Sequence, residues 1–166
     1  VATNEQHLAT LTPDTREAVR QLLAYARSLG MDPSILSSFR SCEEQMELYS
    51  RGRTAPGAKV TWVPGCRSWH THGRAVDLYL GTWDEGPYLE LGPYWQAMGG
   101  RWGGDFGDYG HFEWRPGLTM ADVGCPHSEG TCAVPALPAA AMAGVGLAAV
   151  GMVVVGWTVG RTLWTP

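Results

Sequence analysis

Two short segments concentrate the side chains that can do chemistry. Ser68-Trp69-His70-Thr71-His72-Gly73-Arg74-Ala75-Val76-Asp77 offers two imidazoles and a carboxylate, while Asp108-Tyr109-Gly110-His111-Phe112-Glu113-Trp114 offers one imidazole and two carboxylates. Histidine nitrogen and carboxylate oxygen are usual donors to catalytic zinc, which takes three protein ligands and keeps a fourth position open. One histidine from each segment plus one carboxylate therefore makes a candidate metal site. Spacing leaves its membership open: His70 and His72 are interchangeable on this ground, and so are Asp77, Asp108 and Glu113.

Such a site needs rigid supports that bring distant parts of the chain together. Val19, Leu22, Leu23, Ala26 and Leu29 recur at helical spacing, with Thr12 as cap, Pro13 in the first turn and Gly30 as stop. Ser34 to Phe39 is a short β-prone run. Ser41 and Glu44 have capping-box spacing, which predicts a helix from about Cys42 to Arg51, closed by Gly52. Arg40 thus falls at a strand-to-helix junction. Residues 53 to 67 read as loop. Ala75 to Leu80 reads as a strand with Val76, Leu78 and Leu80 facing the core and Ala75, Asp77 and Tyr79 on the other side. A further helix is expected within Tyr88 to Met98, broken or weakened by Pro93. Residues 103 to 110 read as an irregular loop before a short strand, His111 to Trp114. The fold expected is α+β, a small antiparallel sheet flanked by helices.

Composition narrows the function classes. A formal net charge of -4 with 17% charged residues and no Lys/Arg cluster leaves no electrostatic footprint for nucleic acid. The N-terminus has neither the basic start nor the apolar core of a secretory signal. Ala139 to Trp157 contains no charge and has the length of a bilayer-spanning helix, with Arg161 beyond it; this predicts membrane association through 139–157. The domains expected are a unit carrying the candidate zinc site at 1–120, a Cys/Pro-containing linker at 121–138 and a transmembrane helix at 139–160. Four cysteines permit two disulfides. Cys125 and Cys132 bracket a turn-rich stretch suited to a local bridge. Cys42 and Cys66 pair if the site brings their segments together, and are otherwise buried thiols.

The segment Ser68 to Asp77 resembles the signature of the zinc D,D-carboxypeptidase and L-alanyl-D-glutamate endopeptidase family at every specified position: Ser68, His70, Gly73, Ala75 and Asp77. Asp108 to Trp114 is similar to the second signature, an acidic residue three places before a histidine, in the form found in bacteriophage endolysins. Ser38-Phe39-Arg40-Ser41, with Glu44, Gln45, Leu48, Tyr49 and Gly52-Arg53-Thr54, is similar to the family's opening strand-arginine-helix unit. The resemblance covers about residues 12 to 116.

It implies that His70, Asp77 and His111 hold Zn2+, that Asp108 is the general base and that Arg40 is the cation near the substrate carbonyl or carboxylate. Ser68 is implied to bind a substrate carboxylate. The implied substrate is the peptide of bacterial peptidoglycan, and aspartate rather than glutamate as base favours the bond between L-alanine and D-glutamate over terminal D-alanine. A D,D-carboxypeptidase is the nearest alternative; a non-catalytic, membrane-tethered wall-binding module is the alternative of another class. The implied location is the wall side of a membrane, or release at phage lysis. His72 is read as a surface residue. Glu113 is read as structural or as a partner behind the metal ligands, on the face opposite His111, and Trp69, Trp102 and Trp114 as core or as walls of a binding site.

Overall fold

The computed structural model describes residues 2–124. The expected Cys125–Cys132 bridge, most of the 121–138 linker and the apolar helix at 139–160 lie outside the described residues. Among the described residues, no helix is long and apolar enough to cross a membrane.

Helix α1, Asn4–Ala9, was not expected from the pattern. Thr3 and Gln6 close a reciprocal capping box at its start. Helix α2, Pro13–Ser28, follows with Pro13 in its first turn and buries Ala18, Val19, Leu22, Leu23 and Ala26. The buried Val19, Leu22 and Leu23 side chains each contribute about 1.5–3 kcal/mol. Leu29 departs from the expected face: it follows the helix end and is 40% exposed. Helix α3, Cys42–Ser50, has the Ser41/Glu44 box that its sequence announces.

Four strands form one antiparallel sheet: β1, Ser34–Ser37; β2, Ala75–Tyr79; β3, Arg101–Trp102; β4, His111–Glu113. Their spatial order is β1-β2-β4-β3. Strand β3 lies just before the stretch expected to be irregular, whose first part, Gly103–Phe106, is a 3-10 turn. Asp77 pairs with His111, and Glu113 with both Ala75 and Arg101. Val76, Leu78 and Phe112 bury one sheet face against α2 and helix α4, Glu85–Ala97. The opposite face therefore carries Asp77, Tyr79, His111, Glu113 and Arg101.

Helix α4 runs unbroken through Pro93 and starts before the expected boundary. Packing outweighs the lost backbone bond: Tyr88, Leu91 and Trp95 are at most 1% exposed, and Gly92 lies flat on the Trp102 ring, where a Cβ would come within 2.2 Å. Loop 53–67 includes a 3-10 turn, Gly65–Arg67. A Cys42–Cys66 disulfide ties it to α3, so these two are not free thiols. A short helix α5, Met120–Val123, ends the described chain.

Candidate metal centre

His70 sits in a 3-10 turn, Trp69–His72, that Gly73 closes with φ of 64°, a conformation natural to glycine; a Cβ there would also press on the Thr10 carbonyl at 3.1 Å. The turn feeds directly into β2 and so sets His70 beside Asp77. β4 brings His111 in from the next strand. Asp77 Oδ1 lies 2.9 Å from His111 Nδ1 and 3.3 Å from His70 Nε2, and the two nitrogens are 3.3 Å apart.

The outer nitrogen of each imidazole is committed. His70 Nδ1 is 2.6 Å from the Ser38 carbonyl oxygen, which can only accept, so the N–H is on Nδ1 and the Nε2 lone pair faces inward. His111 Nε2 is 3.2 Å from Glu113 Oε1 and donates to it, turning Nδ1 inward. Glu113 is in turn held by Arg115 Nε at 2.6 Å, and the Arg115 guanidinium lies over the Trp69 ring. Glu113 thus shares the face of His111: residues two apart along a strand project to the same side, and the expectation of opposite faces was mistaken.

The donor set fits a zinc ion. Tetrahedral coordination with Zn–N bonds of about 2.0–2.1 Å sets ligand atoms about 3.3 Å apart. Among the described residues, His70, Asp77 and His111 form a group whose donor atoms converge in this way. Their fixed tautomers supply the outer-shell orientation that metal-binding histidines need.

Electrostatics agree with that geometry. Burial alone would raise the Asp77 carboxyl, but the His70 and His111 imidazoles outweigh it and hold Asp77 ionised, well below the usual carboxylate range. Burial alone would lower His111; the Asp77 and Glu113 carboxylates instead push it up to about 9 in the metal-free protein. Glu113 is held below its ordinary value by His111 and Arg115, against the effect of burial. Asp108 is at the solvent-exposed rim, yet protein crowded around its carboxyl strips hydration and raises its pKa, with the Asp77 charge adding to the rise. His111, His70 and Arg40 oppose that rise without cancelling it.

Arg40 is more tightly bound into the protein than a substrate-facing cation requires. Nη2 donates to Asp77 Oδ2 at 2.7 Å, Nε to Ser37 Oγ at 2.9 Å and Nη1 to Gln45 Oε1 at 2.8 Å. Gln45, 1% exposed, donates onward to Thr61 Oγ1 and the Val63 carbonyl. Ser68 is buried at the start of the His70 turn, and its carbonyl accepts from Thr71. His72 points away from the cluster: its half-buried ring meets the Cys66 carbonyl at 3.0 Å, and burial lowers its pKa. Trp69 and Trp102 are buried and Trp114 packs on the core; among the described residues the exposed aromatics are Phe39, Trp62, Trp83 and Phe106.

Sequence reasoning gave no role to Ser38, Gln45 or Arg115. Ser38 and Gln45 stood inside the quoted Arg40 segment, and a glutamine on an apolar helix face is a usable signal; nothing local marks Arg115.

The family model described as VanY, D-alanyl-D-alanine carboxypeptidase, matches residues 8–98. The chain is similar to the peptidoglycan L-alanyl-D-glutamate endopeptidase CwlK of Bacillus subtilis (strain 168), with 36% identity over 124 residues, 64% of this chain and 74% of that protein. Its fold is similar to the crystal structure of the Serratia marcescens L-Ala D-Glu endopeptidase ChiX, with a TM-score of 0.53 and 24% identity over 73% of this chain and 90% of that one.

Proposed function

Because this chain belongs to the VanY D-alanyl-D-alanine carboxypeptidase family, we propose that it is a zinc-dependent peptidoglycan peptidase whose target is the bond between L-alanine and D-glutamate. The observation that carries this reading is the convergence of His70, Asp77 and His111, with Asp108 at the rim, in a chain similar over 64% of its length to an endopeptidase of that specificity.

Bound by those three residues, zinc supplies Lewis acidity toward the scissile carbonyl and acidifies water. Asp108 takes a proton from the attacking water and delivers it to the leaving amine, a role its raised pKa suits. Arg40 anchors Asp77 and adds positive charge beside the developing oxyanion. Glu113 and Ser38 keep the imidazoles in their inward tautomers. Ser68, at the start of the His70 turn, is the candidate contact for a substrate carboxylate.

Mass spectrometry of digested stem peptides tests the reading. A new amino terminus on D-glutamate, abolished by chelation, is the expected product. Loss of a single terminal D-alanine would instead assign the carboxypeptidase activity that the matched family description names. We place the catalytic unit at 1–120 and a linker at 121–138. The uncharged 139–157 stretch, within a 139–160 helix, would tether the unit to a membrane on the wall side. Flotation of the full chain with lipid vesicles, compared with a chain lacking 139–157, tests the tether.

A further inference from the structure

Strand β3 sets Arg101 directly across from Glu113, so Arg101 stands on the sheet face that carries Asp77 and His111. From β3 the chain enters the turn Gly103–Phe106, whose first residue packs against the Asp108 backbone and the His111 Cβ. A Cβ at Gly103 would meet the Asp108 carbonyl at 2.3 Å and His111 Cβ at 2.8 Å, and one at Gly104 would meet the Trp102 ring at 2.3 Å. Gly103 allows the close approach to His111, Gly104 seats the turn on the buried Trp102 ring, and the turn then delivers Phe106, 52% exposed, to a ring separation of 6.1 Å from His111. The Arg101 guanidinium rests 5.4 Å from the centre of the same Phe106 ring.

Arg101 differs from its neighbours in charge balance. Arg40 is neutralised by Asp77 at 2.7 Å, Arg115 by Glu113 at 2.6 Å and Arg74 by Asp14 at 2.8 Å. Glu113, across the ladder from Arg101, is taken up by Arg115 and His111. Asp105, in the adjoining turn, accepts from Gln96. Among the described residues no carboxylate lies within ion-pair distance of Arg101, so a cation braced on an aromatic ring is left open beside the centre.

The proposed substrate carries the matching charge. Glutamate has two carboxyl groups; when its nitrogen is in the scissile bond and one carboxyl continues the peptide, the other remains a free carboxylate on the leaving side. A terminal D-alanine also presents one free carboxylate on the leaving side, so the comparison that isolates this contact is acid against amide in one peptide rather than one bond against another.

We propose that Arg101, held on Phe106, recognises the free carboxylate of the D-glutamate residue and is a specificity-determining residue of this enzyme. The inference rests on the endopeptidase reading above. The test compares two stem peptides that differ only in a free carboxylate or a carboxamide at that position, using the full zinc-loaded chain. Wild type is expected to favour the acid by about 10-fold in kcat/KM, the scale of a charge-assisted hydrogen bond at a partly solvated site. Arg101→Gln should erase the preference by lowering kcat/KM for the acid peptide toward that for the amide, and Arg101→Glu should reverse it. Unchanged zinc affinity and Tm in both variants would show that the fold and centre persist. A preference retained in Arg101→Gln, or absent from wild type, overturns the subsite while cleavage continues. No cleavage of either peptide at the L-alanine to D-glutamate bond overturns the endopeptidase reading and the subsite with it.

Discussion

Arg40 Nη2 donates to Asp77 Oδ2 at 2.7 Å, while Oδ1 of the same carboxylate faces both imidazoles. One carboxylate thus joins the candidate metal ligands to the cation expected at the substrate. Changes at either residue are felt at both.

Arg40→Lys is accordingly expected to weaken zinc binding as well as turnover. Lysine has one nitrogen and cannot meet Ser37, Gln45 and Asp77 together. Loss of an outer-shell partner of this kind costs roughly 10–100-fold in metal affinity. Chelator competition measures it; wild-type zinc affinity with reduced kcat would assign Arg40 to the substrate alone.

Metal uptake should be coupled to proton release. In the metal-free protein His111 has its pKa raised to about 9, so it holds a proton through neutral pH that an incoming ion must displace. Zinc affinity should therefore rise with pH and level off above about 9, where the site is already deprotonated. Calorimetry in buffers of different ionisation enthalpy reads the released proton directly. A pH-independent affinity would refute the hydrogen-bonded Asp77–His111 pair as the metal-free state.

Asp108→Asn should lower kcat by roughly 10²–10⁴-fold, the usual contribution of a positioned base, with zinc still bound. Since Asp108 must be ionised to accept a proton and its pKa is raised, activity should fall as pH drops through a value above that of an ordinary aspartate. The acid limb of kcat/KM reports it. Asp108→Glu should shift that limb, whereas a limb indifferent to this change would point to another base.

The Cys42–Cys66 disulfide closes a loop with a sequence separation of 24, for which chain entropy predicts about 3.5 kcal/mol of stabilisation. Cys42 is two residues from Arg40, and Cys66 is four from His70 with its carbonyl on His72. Thiol reductant or the Cys42→Ser/Cys66→Ser pair should lower the denaturation midpoint and, through Gln45 and its contacts at Thr61 and Val63, weaken the hold on Arg40. Denaturant titration with and without reductant checks the first effect, and kcat under the same conditions checks the second.

Much of this was legible in the chain because it is local. The box of Ser41 and Glu44 and the amphipathic face of α2 depend on neighbours three or four residues away. The stop at Gly30 is closer still. Helix α1, strand β3 and the passage of α4 through Pro93 were harder to read. Their stability comes from distant partners, such as the bond from Ile35 N–H to the Asn4 side chain and the seat of Gly92 on Trp102.

The candidate centre divides in the same way. The sequence alone determined the donor types, and the motif it resembles singled out His70, Asp77, His111 and Asp108 from several chemically equal choices. Only the tertiary structure decided how those donors are aimed. The Ser38 carbonyl turns His70 inward, Glu113 turns His111 inward, and Asp77 is shared between the imidazoles and Arg40. The reason is physical: residue type sets which atoms can bind a metal or a proton, whereas tautomer, charge and direction follow from contacts that the fold makes, most of them between residues more than 30 positions apart.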